Sequence, residues 1–229
     1  KVSKMIKYEP VPISQHDELL GIDFSERFAT QMKSYYQPYL NNDRNVILAK
    51  EVWEYAVADS IDDGVWVGSG NNTIDVSTPK LDIDVKGISC LKMSSITTEA
   101  SILQNNKEKS DNAMSLFKAG DFVQLKEMFL DPFVAKTEKN KNLHVLACVR
   151  DKELKQVWYC LLKVVPYNNP NLITEMKRGY GKRSIIVPFI DEEFGRTYLY
   201  ISKRRLEIRL NMKTMQKYSV MSHSYDSIN

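Results

Sequence analysis

Four charged side chains near the middle of the chain have the types and spacing for hydrolysis assisted by a metal ion. Residues 81–86 read Leu-Asp-Ile-Asp-Val-Lys, so apolar and charged residues alternate. Successive side chains of a strand point to opposite faces, and the alternation therefore predicts a strand with Asp82, Asp84 and Lys86 on one face. Residues 74–76, Ile-Asp-Val, repeat the alternation, so Asp75 would join them if the two strands pair.

A bound cation would stabilise such a cluster of acids. Carboxylates held close together repel each other and raise each other's pKa, which does not favour stability. Mg²⁺ would relieve the repulsion, because it takes carboxylate oxygens and water as ligands. It can also activate a water and neutralise charge on a phosphate, while Lys86 stabilises the transition state or helps to deprotonate the water. The alternative is a strand edge decorated with charges to prevent pairing with other chains.

The spacing of these residues resembles the PD-(D/E)XK motif of the restriction-endonuclease-like superfamily. Asp75 is followed by eight intervening residues and then by Asp84-Val85-Lys86. The resemblance implies that Asp75 and Asp84 bind Mg²⁺ and that Lys86 acts at the nucleophilic water. Ile74 stands where the motif has proline, and the gap between the two acids is short for the family. Asp82 is an additional carboxylate that could replace either ligand.

The family often adds a glutamate from the preceding helix. Glu26 and Glu51 are the two candidates, and Glu26 is the preferred one, counted with the predicted catalytic residues. A self-sufficient chain of this size resembles a Type II restriction enzyme, the site-specific deoxyribonuclease of a restriction-modification system. The resemblance implies a homodimer, since a palindromic DNA site matches two-fold protein symmetry.

Three other functions remain open at this point. The chain could be a nicking, repair or mobile-element nuclease of the same fold. It could be a DNA-binding module that hydrolyses nothing. It could also be a protein whose basic face is ordinary surface and which binds no nucleic acid.

The C-terminal part of the chain is the basic part. Residues 174–217 hold 11 Lys and Arg against 5 Asp and Glu, whereas residues 1–173 hold 21 against 23. A basic segment suits a polyanionic partner such as double-stranded DNA, and two glycines in 177–184 allow close approach to a backbone. We predict a catalytic core over 1–173 and a basic DNA-binding region over 174–229 of the same domain. The predicted DNA contacts are Lys177, Arg178, Tyr180, Lys182, Arg183, Lys203, Arg205 and Arg209.

Length and patterning predict the fold class. The chain has 229 residues, 43% of them hydrophobic, which fits one large domain or one domain with a small subdomain. The order of elements favours an α/β fold with a mixed central sheet flanked by helices, as in restriction-endonuclease-like proteins. Residues 1–20 are predicted to be extended or loop and 136–142 a charged loop. Helices are expected over 23–39, 44–58, 98–117 and 121–129, and strands over 65–67, 73–77, 81–89, 143–149, 156–165, 184–189 and 197–210.

The cysteine pattern and the hydropathy indicate where in the cell the protein is expected. Cys90, Cys148 and Cys160 form no C-x-x-C pair, and their odd number favours reduced thiols in a cytoplasmic protein. No apolar run approaches the roughly 20 residues needed to cross a bilayer, so no membrane partner is expected.

Overall fold

The computed structural model of the chain describes residues 3–40, 49–68, 74–90, 95–101, 107–151, 156–179, 184–187, 195–200, 205–218 and 222–224. The chain forms two compact units that interleave along the sequence. Unit 1 comprises Lys1–Lys7, Ser95–Lys141 and Val165–Asn211, and unit 2 comprises Tyr8–Ser94, Asn142–Val164 and Met212–Asn229. The predicted α/β class, with a mixed sheet flanked by helices, is confirmed.

Most of a mixed sheet lies in unit 2, whereas residues 4–7 of its strand β1 and 165–168 of its strand β7 belong to unit 1. The strand order of the sheet is β1-β7-β6-β4-β3-β2, and β12 also pairs with β7. β4 runs parallel to β6, whereas β2, β3 and β4 are antiparallel neighbours, as are β6 and β7. The strands are β1 Lys4–Pro10, β2 Val65–Trp66, β3 Val76–Ser77, β4 Asp82–Cys90, β6 Leu143–Asp151, β7 Gln156–Asn168 and β12 Ser222–Ser224.

Helices cover one face of this sheet. In α2 the apolar residues Phe24, Phe28, Met32 and Tyr36 recur every four positions, which places them on one helix face, and all four are buried. They share a core with the β4 residues Ile83 and Val85 and with the β6 and β7 residues Leu146 and Tyr159. The helices of unit 2 are α1 His16–Leu20, α2 Phe24–Leu40, α3 Lys50–Ser60 and α7 Met212–Gln216, and a 3-10 turn spans Ile13–Gln15.

Unit 1 contains an antiparallel sheet and a helical core of its own. The sheet order is β5-β11-β10-β9-β8. Its strands are β5 Ser95–Ser101, β8 Lys177–Arg178, β9 Ser184–Val187, β10 Gly195–Tyr200 and β11 Arg205–Asn211. The helices are α4 Lys107–Ala119, α5 Phe122–Lys139 and α6 Leu172–Glu175. Phe117, Leu125, Phe129 and Leu172 form the centre of the core.

The helix predicted over 98–117 is wrong at its start. Residues Ser95–Ser101 form strand β5, and helix α4 begins only at Lys107. The strand is specified by pairing with β11, in which Ser95 faces Asn211 and Ser101 faces Arg205. That partner lies about a hundred residues away, so local helix propensity carried no sign of it.

Four further predictions need correction. Residues 136–142 are not simply a charged loop, because α5 continues to Lys139 with Val134 and Thr137 on its buried side. The first twenty residues are extended only as far as Pro10, after which come the 3-10 turn and α1. The helix predicted over 121–129 ends ten residues too early, because α5 continues to Lys139. The single strand predicted over 197–210 is wrong, since the structure has two antiparallel strands there, Gly195–Tyr200 and Arg205–Asn211. The other predicted helices and strands lie within a few residues of the observed ones, although 44–48, 73, 102–106, 188–189 and 201–204 fall outside the described residues.

The predicted division at residue 173 does not coincide with a boundary of either unit. The assignment of catalysis to 1–173 and DNA binding to 174–229 stays a prediction. Cys148 and Cys160 are buried free thiols, as expected. Over the described ranges, no helix is both long enough and apolar enough to span a membrane.

Candidate active site

The two predicted strands pair, and the predicted faces of their side chains are confirmed. Val76 faces Ile83 and Ser77 faces Asp82 in the β3–β4 ladder, and the Asp75 amide donates to the Ile83 carbonyl at 2.9 Å. Leu81, Ile83 and Val85 are buried in the core of unit 2, whereas Asp82, Asp84 and Lys86 are half-buried on the other face. The alternation in 81–86 is therefore confirmed.

Asp75 lies at the centre of the charged face and is itself buried. Its Oδ2 accepts a hydrogen bond from the Val85 amide at 2.8 Å. Burial raises the pKa of Asp75, and the negative charge of Asp84 raises it further, although the Val85 amide and Lys50 oppose the shift. A side-chain hydrogen bond between Asp75 and Asp84 also raises the pKa of Asp75. The two acids are thus close enough to share a proton or a cation.

Lys86 completes the predicted trio. Its Nζ lies 2.7 Å from Asp84 Oδ1, and both side chains are about one quarter exposed, 21% for the lysine and 27% for the acid. The ammonium therefore stands beside the acids and still reaches solvent. A substrate phosphate approaching from that side would meet the ammonium next to the carboxylate oxygens.

The first turns of α3 bring two further charged residues to the site. Lys50 Nζ lies 3.5 Å from Asp75 Oδ1 and 3.1 Å from Glu54 Oε1. Glu54 is buried, and its Oε2 accepts a hydrogen bond from Trp66 Nε1 at 3.0 Å. Burial lowers the pKa of Lys50, but Asp75 and Glu54 outweigh it, so the pKa is raised overall. Sequence reasoning missed this pair, and the only local signal was the four-residue spacing of a salt bridge on a helix.

The other predicted acids lie elsewhere. Glu26 is exposed on α2 and lines a surface cavity of about 510 Å³, whose lining includes Asp59 and Asp62 but none of the three motif residues. Glu51 is exposed on α3. Asp82 accepts a hydrogen bond from Ser77 Oγ at 2.8 Å. A catalytic role for Glu26 stays a prediction, and Glu54 is the helical glutamate that Lys50 connects to Asp75.

The donor set suits a hard divalent cation. Asp75 and Asp84 offer carboxylate oxygens from adjacent strands, and Mg²⁺ is bound in proteins through one or two carboxylates with several waters retained. The shared hydrogen bond and the raised pKa of Asp75 indicate a repulsion that such a cation would relieve. Among the described residues, no group of three or more His, Cys, Asp and Glu side chains is arranged around one metal position.

Arg178, a predicted DNA contact, is engaged within unit 1. Its Nη2 donates to the carbonyl oxygens of Phe117 at 2.7 Å and Lys118 at 3.3 Å, at the end of α4. The guanidinium also lies 4.5 Å from the centre of the Phe117 ring. A cation at a helix C-terminus satisfies carbonyls that have no partner within the helix. Arg178 therefore has a structural role beside any contact with DNA.

Arg178→Met should destabilise the protein more than Lys177→Met does. Methionine keeps the apolar stem but loses both carbonyl contacts and the ring contact, and we expect a cost of about 1 kcal/mol. Lys177 is the exposed neighbour on β8, so its replacement should cost about 0.5 kcal/mol or less. Urea unfolding of the two variants measures the difference. Equal free energies of unfolding would contradict the structural role.

The remaining predicted DNA contacts are only partly described. Lys177 is exposed on β8, and Arg205 and Arg209 belong to β11, opposite Tyr200 and Arg196 of β10. Tyr180, Lys182, Arg183 and Lys203 lie outside the described residues. Binding of DNA by any of these residues stays a prediction.

The two units differ in net charge. By sequence, unit 1 holds 19 Lys and Arg against 12 Asp and Glu, a net of +7, and unit 2 holds 13 against 17, a net of −4. The cluster of Asp75, Asp84 and Lys86 belongs to the acidic unit, and every predicted DNA contact belongs to the basic unit.

Comparisons with protein-family models, with curated proteins and with solved structures found no match to this chain.

Proposed function

We propose that this chain is a Mg²⁺-dependent DNA endonuclease whose catalytic residues are Asp75, Asp84 and Lys86. The observation that carries the proposal is their convergence. Asp75 shares a hydrogen bond with Asp84, and Lys86 Nζ lies 2.7 Å from Asp84 Oδ1. Asp84 and Lys86 lie on β4, and Asp75 immediately precedes the adjacent strand β3; the opposite face of both strands is packed in the core.

Stability alone gives little reason for this arrangement. Burial and repulsion both disfavour the charged form of Asp75, so the site costs folding free energy. A buried acid with a raised pKa, next to a second acid and a lysine, is typical of functional sites, where the cost is offset by chemistry. This favours catalysis over a strand edge decorated with charges.

Each residue has a separate task in the proposed reaction. Asp75 and Asp84 supply the oxygens that hold Mg²⁺, and the Val85 amide fixes the orientation of the Asp75 carboxylate. Bound Mg²⁺ supplies Lewis-acid activation of water and neutralises charge on the phosphate. Lys86 donates to Asp84 and, when a substrate is present, stabilises the negative charge that develops on the scissile phosphate.

The charge difference between the units supports a nucleic-acid substrate. Unit 1 has a net charge of +7, and lysines and arginines in such excess would neutralise the phosphates of a nucleic acid. Site-specific cleavage of both strands by a homodimer, as in a Type II restriction enzyme, is the finer form of the proposal. That form rests on the motif alone.

The test is incubation with supercoiled plasmid and phage DNA, in Mg²⁺ or in EDTA. Wild type should cleave only in Mg²⁺, and Asp84→Ala and Lys86→Ala should cleave at least about 10²-fold more slowly. Asp82→Ala is the matched control, because Asp82 is on the same face of β4 but is held by Ser77. We expect that variant to keep most of its activity.

The products decide between the forms of the proposal. Discrete linear bands indicate a site-specific enzyme, and nicked circles indicate a nicking or repair nuclease with the same centre. Binding of DNA without cleavage, unchanged by Asp84→Ala and by EDTA, would favour a non-catalytic DNA-binding module. Absence of both cleavage and salt-dependent binding would reject a nucleic-acid function.

A further inference from the structure

Lys50 contacts the acids of the candidate site from outside the motif. Its ammonium lies between two carboxylates, 3.1 Å from Glu54 Oε1 and 3.5 Å from Asp75 Oδ1. Glu54 is fixed from its other side by Trp66 Nε1 at 3.0 Å. Lys50 is the first residue of α3, so a small change in its side-chain torsions would carry the ammonium away from both acids without moving the helix.

The lysine and the two carboxylates of this contact differ sharply in solvent exposure. The side chain of Lys50 is 57% exposed, whereas those of Glu54 and Asp75 are 5% and 11% exposed. Two carboxylates removed from water in this way need a positive charge nearby. The lysine supplies that charge from the solvent side and can leave toward water, because its long stem keeps the ammonium hydrated.

We propose that Lys50 is a displaceable cation, a positioning residue that neutralises Asp75 and Glu54 until a divalent cation takes its place. The inference rests on the proposed function, since Asp75 is a metal ligand only there. In this arrangement Lys50 sets the affinity of the site for the metal. Until the metal binds, its charge also offsets the repulsion between the buried acids.

The proposal predicts that removal of the Lys50 charge tightens metal binding. A positive charge a few ångströms from the ion repels it, and the side chain must also leave Asp75 before the ion can bind. At the surface, where solvent screens the repulsion, we expect the dissociation constant to fall about tenfold in Lys50→Met. Lys50→Arg keeps the charge and should bind the ion within about twofold of wild type.

The measurement is titration with Mn²⁺ without DNA, followed through the electron paramagnetic resonance signal of the free ion. Mn²⁺ prefers the same carboxylate and water ligands as Mg²⁺. The variants are Lys50→Met and Lys50→Arg, Asp84→Ala to remove a proposed metal ligand and, as a control for net charge, Lys33→Met at an exposed position of α2. Thermal melts in EDTA check folding, and Lys50→Gln replaces Lys50→Met if the latter is unfolded.

The outcomes separate this inference from the proposed function. Tighter Mn²⁺ binding in Lys50→Met, with Lys50→Arg and Lys33→Met near wild type, supports the inference. Equal or weaker binding in Lys50→Met overturns it, while loss of Mn²⁺ binding in Asp84→Ala would still support the metal centre. Binding that is unaffected by Asp84→Ala, or no binding at all, overturns the proposed metal centre and this inference with it.

Discussion

Asp75→Asn is expected to abolish Mg²⁺-dependent DNA cleavage and, in EDTA, to leave the protein at least as stable as wild type. Asparagine is nearly isosteric, and its Oδ1 can still accept from the Val85 amide. Its Nδ2 then takes the place of the oxygen that accepts from Lys50 Nζ at 3.5 Å, but that lysine is more than half exposed and can turn toward water, so the lost contact costs less than the buried charge that is removed. The folded structure is therefore kept, and the charged metal ligand is lost. Removal of an interaction worth several kcal/mol in the transition state should lower the cleavage rate at least about 10³-fold.

The pH dependence of stability in EDTA should differ between the two proteins. Because the pKa of Asp75 is raised in the folded protein, its contribution to stability is fully present below the ordinary aspartate pKa of 3.8 and is lost as pH rises through the folded pKa. Asparagine has no such titration. Relative to wild type, Asp75→Asn should therefore gain stability between acid and neutral pH.

Two measurements check this prediction. Rates of plasmid linearisation or nicking give the loss of activity, and urea unfolding in EDTA at about pH 4 and about pH 7 gives the stability. Asp82→Asn serves as the matched control, and we expect it to keep activity. A large loss of stability in Asp75→Asn at both pH values would show that the carboxylate is structural, and normal cleavage would remove it from the catalytic residues.

Gly87→Ala should cause the largest loss of stability among single-methyl changes near the site. A Cβ at position 87 would lie 2.4 Å from Trp53 Cδ1 and 2.6 Å from Trp53 Nε1, which is inside van der Waals contact. Trp53 is a buried residue of α3, so its ring cannot turn aside without disturbing the core. We expect a destabilisation of about 3 kcal/mol.

The same change should also disturb the candidate site. Gly87 follows Lys86 on β4, and Trp53 lies one residue before Glu54 on α3. Displacement of the tryptophan would therefore move Lys50 and Glu54 away from Asp75. We expect a lower cleavage rate at temperatures where the variant is still folded.

Urea unfolding of Gly87→Ala is compared with that of Gly120→Ala. Gly120 has φ of +76°, and among the described residues only Arg178 Nη2, at 4.0 Å, lies near its Cβ position, so the expected cost is the backbone strain of about 1 kcal/mol. A loss in Gly87→Ala that is no larger than the loss in Gly120→Ala would contradict the close packing of α3 on β4.

The motif residues could be identified before the fold because their signal is local. A period of two in residues 81–86 fixes the face of each side chain once the segment is a strand. A register shifted by one residue would bury the charges and expose Ile83 and Val85, so the hydrophobic pattern also selects the pairing of β3 with β4. Helix α2 was similarly recognisable from apolar residues every four positions.

The predictions that were wrong concern contacts between segments that are distant in the sequence. Strand β5 exists through its pairing with β11, and α5 extends to Lys139 because Val134 and Thr137 meet a core assembled from several elements. Glu26 was preferred as the helical glutamate from its position before the motif, whereas the structure connects Glu54 to Asp75 through Lys50. A linear pattern does not determine which helix packs beside a given strand.

By itself, the sequence determined the α/β class, the two charged strands and the three residues Asp75, Asp84 and Lys86. These features follow from side-chain period and charge, which are properties of neighbouring residues. Only the tertiary structure decided that Lys50 and Glu54 of α3 join them and that Arg178 contacts the end of α4. It also decided that the chain forms two interleaved units whose net charges have opposite signs. Those features depend on how buried surfaces pack across the chain, and packing is settled by the whole fold.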